Sequence, residues 1–65
     1  MRKFYAVIDM TAGGINKLLT ESELIGYANG AHFVRNGECE EATDVHSAIC
    51  ILNTDFFEVK EVILC

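Results

Sequence analysis

His46 and Cys50 stand four residues apart in a segment whose apolar residues recur at helical spacing, so their side chains share one flank of a helix. With Cys39 ahead of that helix and Cys65 at the end of the sequence, imidazole and thiolates supply the donor types of a tetrahedral zinc site. The spacing does not favour one, since no two cysteines form the close Cys-x-x-Cys pair of structural zinc sites. Cys39, His46, Cys50 and Cys65 are therefore candidate ligands on paper, and the expectation is no metal and no cofactor. A Cys–His nucleophile pair is the other chemistry open to His46 and Cys50. It needs a thiolate in an electropositive setting and a third residue to orient the imidazole, whereas Cys50 lies mid-helix in an acidic chain with no recognisable orienter. The structural alternative is a half-buried histidine beside a small buried cysteine.

Asp9-Met10-Thr11-Ala12-Gly13-Gly14 sets a carboxylate at the end of a strand and ahead of a glycine turn. Phosphate-handling and nuclease folds use such a carboxylate for a metal and such glycines for close phosphate approach. No Walker lysine and no full dinucleotide pattern accompany it, so Asp9 and Thr11 are expected to satisfy turn amides instead. Glu38, Glu40, Glu41 and Asp44 put four carboxylates within seven positions. A helix N-terminus favours acids through its dipole, which accounts for Asp44 and for Glu41. Glu38 and Glu40 are left without that reason, and the segment is the candidate recognition patch for a basic partner. The calcium-loop spacing of an EF-hand is not present in it.

Composition narrows the classes. The 65 residues are 51% hydrophobic yet carry ten acids against five bases, a formal charge of -5. Arg2, Lys3, Lys17, Arg35 and Lys60 form no run, which argues against direct binding to nucleic acid or to an anionic membrane. No apolar stretch nears the roughly 20 residues that span a bilayer. The basic-then-apolar start, Met1 to Ile8, is cut short by Asp9 and is expected to be a first strand rather than a signal peptide. Three cysteines without framework spacing point to a reducing, cytoplasmic setting. A chain this short has room for one domain over residues 1–65 and a single small core, which favours a binding role over catalysis.

The elements that must carry these residues follow from periodicity. Lys3 to Met10 is apolar on both alternating faces, as in a strand near the centre of a sheet. Ile15 to Leu19 is expected to return as its hairpin partner, with a helix through Ile15, Leu18, Leu19 and Ser22 as the competing reading. Thr20-Glu21-Ser22-Glu23 is a capping box that should open a helix with Leu24, Ile25 and Ala28 on one face and Asn29-Gly30 as its stop. Ala31 to Arg35 is read as a third strand, Glu38 to Glu41 as a short returning strand or a loop. Thr43 or Asp44 can cap a second helix whose apolar face is Val45, Ala48, Ile49 and Leu52. Phe56 to Leu64 is the last strand, with a bulge or change of face expected near Glu61. The order strand, strand, helix, strand, helix, strand predicts an α+β fold: a mixed or antiparallel sheet of three to four strands with two short helices on one face. Phe56, Phe57, Val62 and Leu64 would then form an edge suited to a homodimer.

Lys3-Phe4-Tyr5-Ala6-Val7-Ile8-Asp9 with its glycine turn, Leu19-Thr20-Glu21-Ser22-Glu23-Leu24, and the closing Phe57-Glu58-Val59-Lys60-Glu61-Val62 resemble many very small proteins of bacteriophages and prophages of Gram-positive hosts. The likeness is one of style over most of the chain. It implies a cytoplasmic, often dimeric accessory protein, sometimes an inhibitor of a host enzyme or defence system such as a CRISPR nuclease. It assigns a role to no residue. The leading expectation is a non-enzymatic protein that binds a host protein, basic or itself nucleic-acid-binding, through its acidic face or a sheet edge. The alternative is a small metal-binding or ligand-sensing module using Asp9, His46 and the cysteines.

Overall fold

The computed structural model describes residues 2–11 and 15–64. Strand β1 (Arg2–Asp9) pairs with β2 (Ile15–Leu19) on one side and β3 (Phe57–Leu64) on the other, giving an antiparallel sheet of order β2-β1-β3. Two-faced apolarity suits β1 to this central place: Tyr5 and Val7 lie in the core with the helices, while Ala6 between them is 4% exposed on the other face. The expected glycine turn at Ala12-Gly13-Gly14 lies outside the described residues; β1 and β2 pair from Tyr5 opposite Leu19 to Ile8 opposite Ile15. The register slips between Val7 and Ile8, on the β2 side. Against β3 the pairing runs unbroken from Arg2–Leu64 to Asp9–Phe57, so the irregularity expected at Glu61 is not there.

Helix α1 (Glu21–Asn29) begins where local chemistry dictates. The Thr20 hydroxyl accepts from the Glu23 amide, and the Thr20 amide donates to the Glu23 carboxylate at 2.9 Å. Helix α3 (Val45–Thr54) repeats the device, with Asp44 as cap and Ser47 answering it. Leu24 and Ala28 of α1, Ala48, Ile51 and Leu52 of α3, and Tyr5 and Val7 of β1 form the core together with Ala42. The buried stripe of α3 thus centres on Ala48, Ile51 and Leu52, with Val45 and Ile49 only partly covered. Both helices lie on the Tyr5–Val7 face of the sheet.

The segment expected as a third strand is a single helical turn, α2 (His32–Arg35). Its backbone is satisfied locally, with Val34 and Arg35 amides donating to the Ala31 carbonyl and the Asn36 amide to that of His32. Five residues, three of them apolar, have no period long enough to separate strand from helix, and among the described residues this segment pairs with no strand of the sheet. The chain order is therefore strand, strand, three helices, strand. Glu38 to Thr43 is a loop without strand pairing. Among the described residues, no helix is long and apolar enough to cross a membrane.

Candidate functional site

The sulfur of Cys50 lies 4.0 Å from Nε2 of His46, the flank that i, i+4 spacing requires. Both side chains are exposed, which corrects the expectation of a half-buried histidine beside a buried cysteine. Among the described residues no three of His, Cys, Asp and Glu come together in a group able to hold a metal ion. Cys39 is half-buried in the loop before α3, and Cys65 lies outside the described residues. Asp9 does what a turn carboxylate does: its Oδ1 accepts from the Thr11 amide at 2.9 Å and from the Thr11 hydroxyl at 2.7 Å.

The acidic segment divides by role. Asp44 is structural, accepting the Ser47 amide and hydroxyl at 2.8 Å each as cap of α3. Those bonds, aided by nearby His46, hold its carboxyl below the ordinary range, and the Thr20 amide and hydroxyl do the same for Glu23. Carboxylates whose pKa is lowered by folding stabilise the fold above their unfolded values, and that contribution is lost as pH falls through the folded ones. The melting temperature is therefore expected to hold through neutral pH and to fall, with helical ellipticity, below about pH 4. A combined Glu23→Gln, Asp44→Asn variant should show a flatter acid limb in thermal melts; an identical limb would remove the caps as its cause.

Glu38, Glu40 and Glu41 are exposed, and none has a side-chain hydrogen bond or ion pair among the described residues. What holds their loop is Asn29 at the end of α1. Its side-chain oxygen accepts the Ala42 amide at 2.6 Å while its side-chain nitrogen donates to the Ala42 carbonyl at 3.1 Å. Ala42 is 5% exposed, so this two-point clamp seats it in the core and leaves the glutamates before it in solvent.

No protein-family model, curated protein or solved structure matches the chain.

The other surface lies on the far side of the sheet. Alternation puts Phe4, Ala6 and Ile8 of β1, Leu18 of β2 and Val62 and Leu64 of β3 on the face turned away from the helices. Ala6 is the smallest of these and is shielded, whereas Leu18 and Leu64 are 50% and 45% exposed. Met10 follows β1 at 53% exposure. Phe56, between α3 and β3, is 64% exposed and holds a φ of 64°, a left-handed backbone that glycine takes far more easily. Of the residues expected at a dimer edge, Phe57 belongs to the core side, packing edge-on to Tyr27 at 6.0 Å; Val62 and Leu64 lie on the open face. Met10 and Leu18 were not legible as surface residues, because strand periodicity shows which residues share a face but not which face the helices cover. A shallow cavity of about 340 Å³ between the C-terminal turns of α1 and α3 is lined by Tyr27, Leu52, Asp55 and Phe57 among others.

Proposed function

We propose that this chain is a non-enzymatic protein-binding module of the phage accessory or inhibitor kind. It engages a host protein through its acidic segment or through the face and edge of its sheet. Phe56 carries the reading. A large aromatic held in solvent at a backbone angle that costs a non-glycine residue roughly 1–2 kcal/mol is poor design for folding alone. Such strain is retained where the side chain has work to do, and binding surfaces draw on exposed aromatics for their anchors. The open face beside it, where exposed Leu18 and Leu64 lie with Glu58 and Lys60, is the kind of surface that partners cover. Glu38, Glu40 and Glu41 add a charged surface on the helix side, suited to a basic partner.

The test uses the tagged chain as bait in host lysate, with mass spectrometry to identify what it holds, followed by titration with the purified partner. Phe56→Gly is expected to leave the melting temperature unchanged or higher while weakening capture at least tenfold. Charge reversal at Glu38, Glu40 and Glu41 should weaken capture of a basic partner without unfolding the domain. Capture unchanged in both variants would remove both surfaces from the reading.

A further inference from the structure

We infer that the outer edge of β3 pairs with β3 of a second copy of this chain, in antiparallel register centred on Val59. β3 is a border strand, and among the described residues no strand lies along its outer side. The Met10 amide donates to the Phe56 carbonyl at 3.0 Å, in line with the β1–β3 register, and this sets the alternation of the whole ladder. Even-numbered residues of β3 turn their amides and carbonyls toward β1. Phe57, Val59, Glu61 and Ile63 therefore direct theirs outward, where a strand of the same chain can meet them.

Charges on an edge strand normally discourage such pairing. Here they select among registers. A two-fold axis perpendicular to the sheet sets some residue of β3 opposite its own copy, and four centres overlap most of the strand. Centring on Lys60 opposes two ammonium groups, and centring on Glu61 opposes two carboxylates. Centring on Val62 sets Lys60 against Leu64 and Glu61 against Ile63, leaving every charge without an opposite. Centring on Val59 sets Lys60 against Glu58 of the second copy, twice over. These two already approach within 3.8 Å inside one chain, so the dimer would close an alternating square of charges on the open face. The same register pairs the outward groups of Val59 with those of its copy, and those of Phe57 with those of Glu61. It also brings exposed Phe56 opposite Val62 of the second copy.

The inference shares with the proposed function the premise that the sheet edge binds protein, but the purified chain alone tests it. Host-protein capture is then judged separately. Sedimentation of the intact chain from low to high micromolar concentration is expected to show a dimer of the 7.2 kDa chain. Lys60→Glu or Glu58→Lys, each checked for folding by circular dichroism, should weaken self-association about tenfold or more, since each turns two attractive cross-strand pairs into repulsive ones. The Glu58→Lys/Lys60→Glu double variant restores both pairs and should recover the wild-type dimer. A wild-type monomer at high micromolar concentration overturns the inference. So does a Lys60→Glu variant as tightly dimeric as wild type, or a double variant as weak as the singles.

Discussion

Leu24→Ala is expected to destabilise the protein by about 3 kcal/mol, the middle of the range for truncating a fully buried leucine. Leu24 is 0% exposed and belongs to the core that α1 forms with α3 and β1, where Ala28, Leu52 and Val7 are also fully buried, so its loss opens a space in the core. A chain of this length has a total stability of roughly 3–10 kcal/mol, and the loss would bring a substantial fraction of molecules to the unfolded state. Leu24→Met, which keeps the volume, should cost less than about 1.5 kcal/mol. Urea unfolding followed by far-UV circular dichroism measures both. A Leu24→Ala loss below 1 kcal/mol, by the same scale, would mean that the helix layer closes over the gap.

Asn29→Ala carries the second large effect, about 2–4 kcal/mol, because it strands two backbone groups of buried Ala42 at once. The penalty comes from groups left without partners rather than from the worth of the bonds themselves. Asn29→Asp separates the two halves of the clamp. The carboxylate still accepts the Ala42 amide but faces the Ala42 carbonyl with no proton to give, so this variant should gain stability relative to wild type as pH falls and the acid is protonated. Hydrogen exchange at the Ala42 amide is the local readout, with faster exchange expected in Asn29→Ala. If exchange there is unchanged, the loop is held by something other than Asn29. In the proposed function the clamp also positions the acidic surface, since Glu38, Glu40 and Glu41 precede the segment that it seats.

Acid and charge tests divide the surfaces cleanly. The glutamates lie on the helix side, while Lys60 and Glu58 lie on the open side of the sheet. Reversing one set should leave the property governed by the other in place. A chain that dimerised through β3 would still present its acidic loops, twice over, to a partner.

Thr20 and Glu23 were readable as a helix start, and Asp44 as another, because a cap is a contract among residues three apart. The central place of β1 was readable because only an inner strand needs apolar side chains on both faces. The α+β class followed from these local facts. Ala31 to Arg35 was not readable: its residues suit a strand as well as a helical turn, and its backbone is satisfied by local bonds within the turn rather than by a sheet. Asn29 shows the limit most clearly. By sequence it is a helix stop, yet its main bonds reach thirteen residues along the chain, a distance over which no pattern predicts a partner. The left-handed backbone of Phe56, between α3 and β3, likewise carries no mark in the sequence, since nothing around a phenylalanine signals a positive φ. The amino-acid order by itself determined the caps, the hairpin, the two main helices and the acidic character of the loop, because each depends on neighbours a few residues away. Which strand lies at the border, which sheet face stays bare and which backbone groups face outward were decided only by long-range packing, and those are the features on which the proposed binding rests.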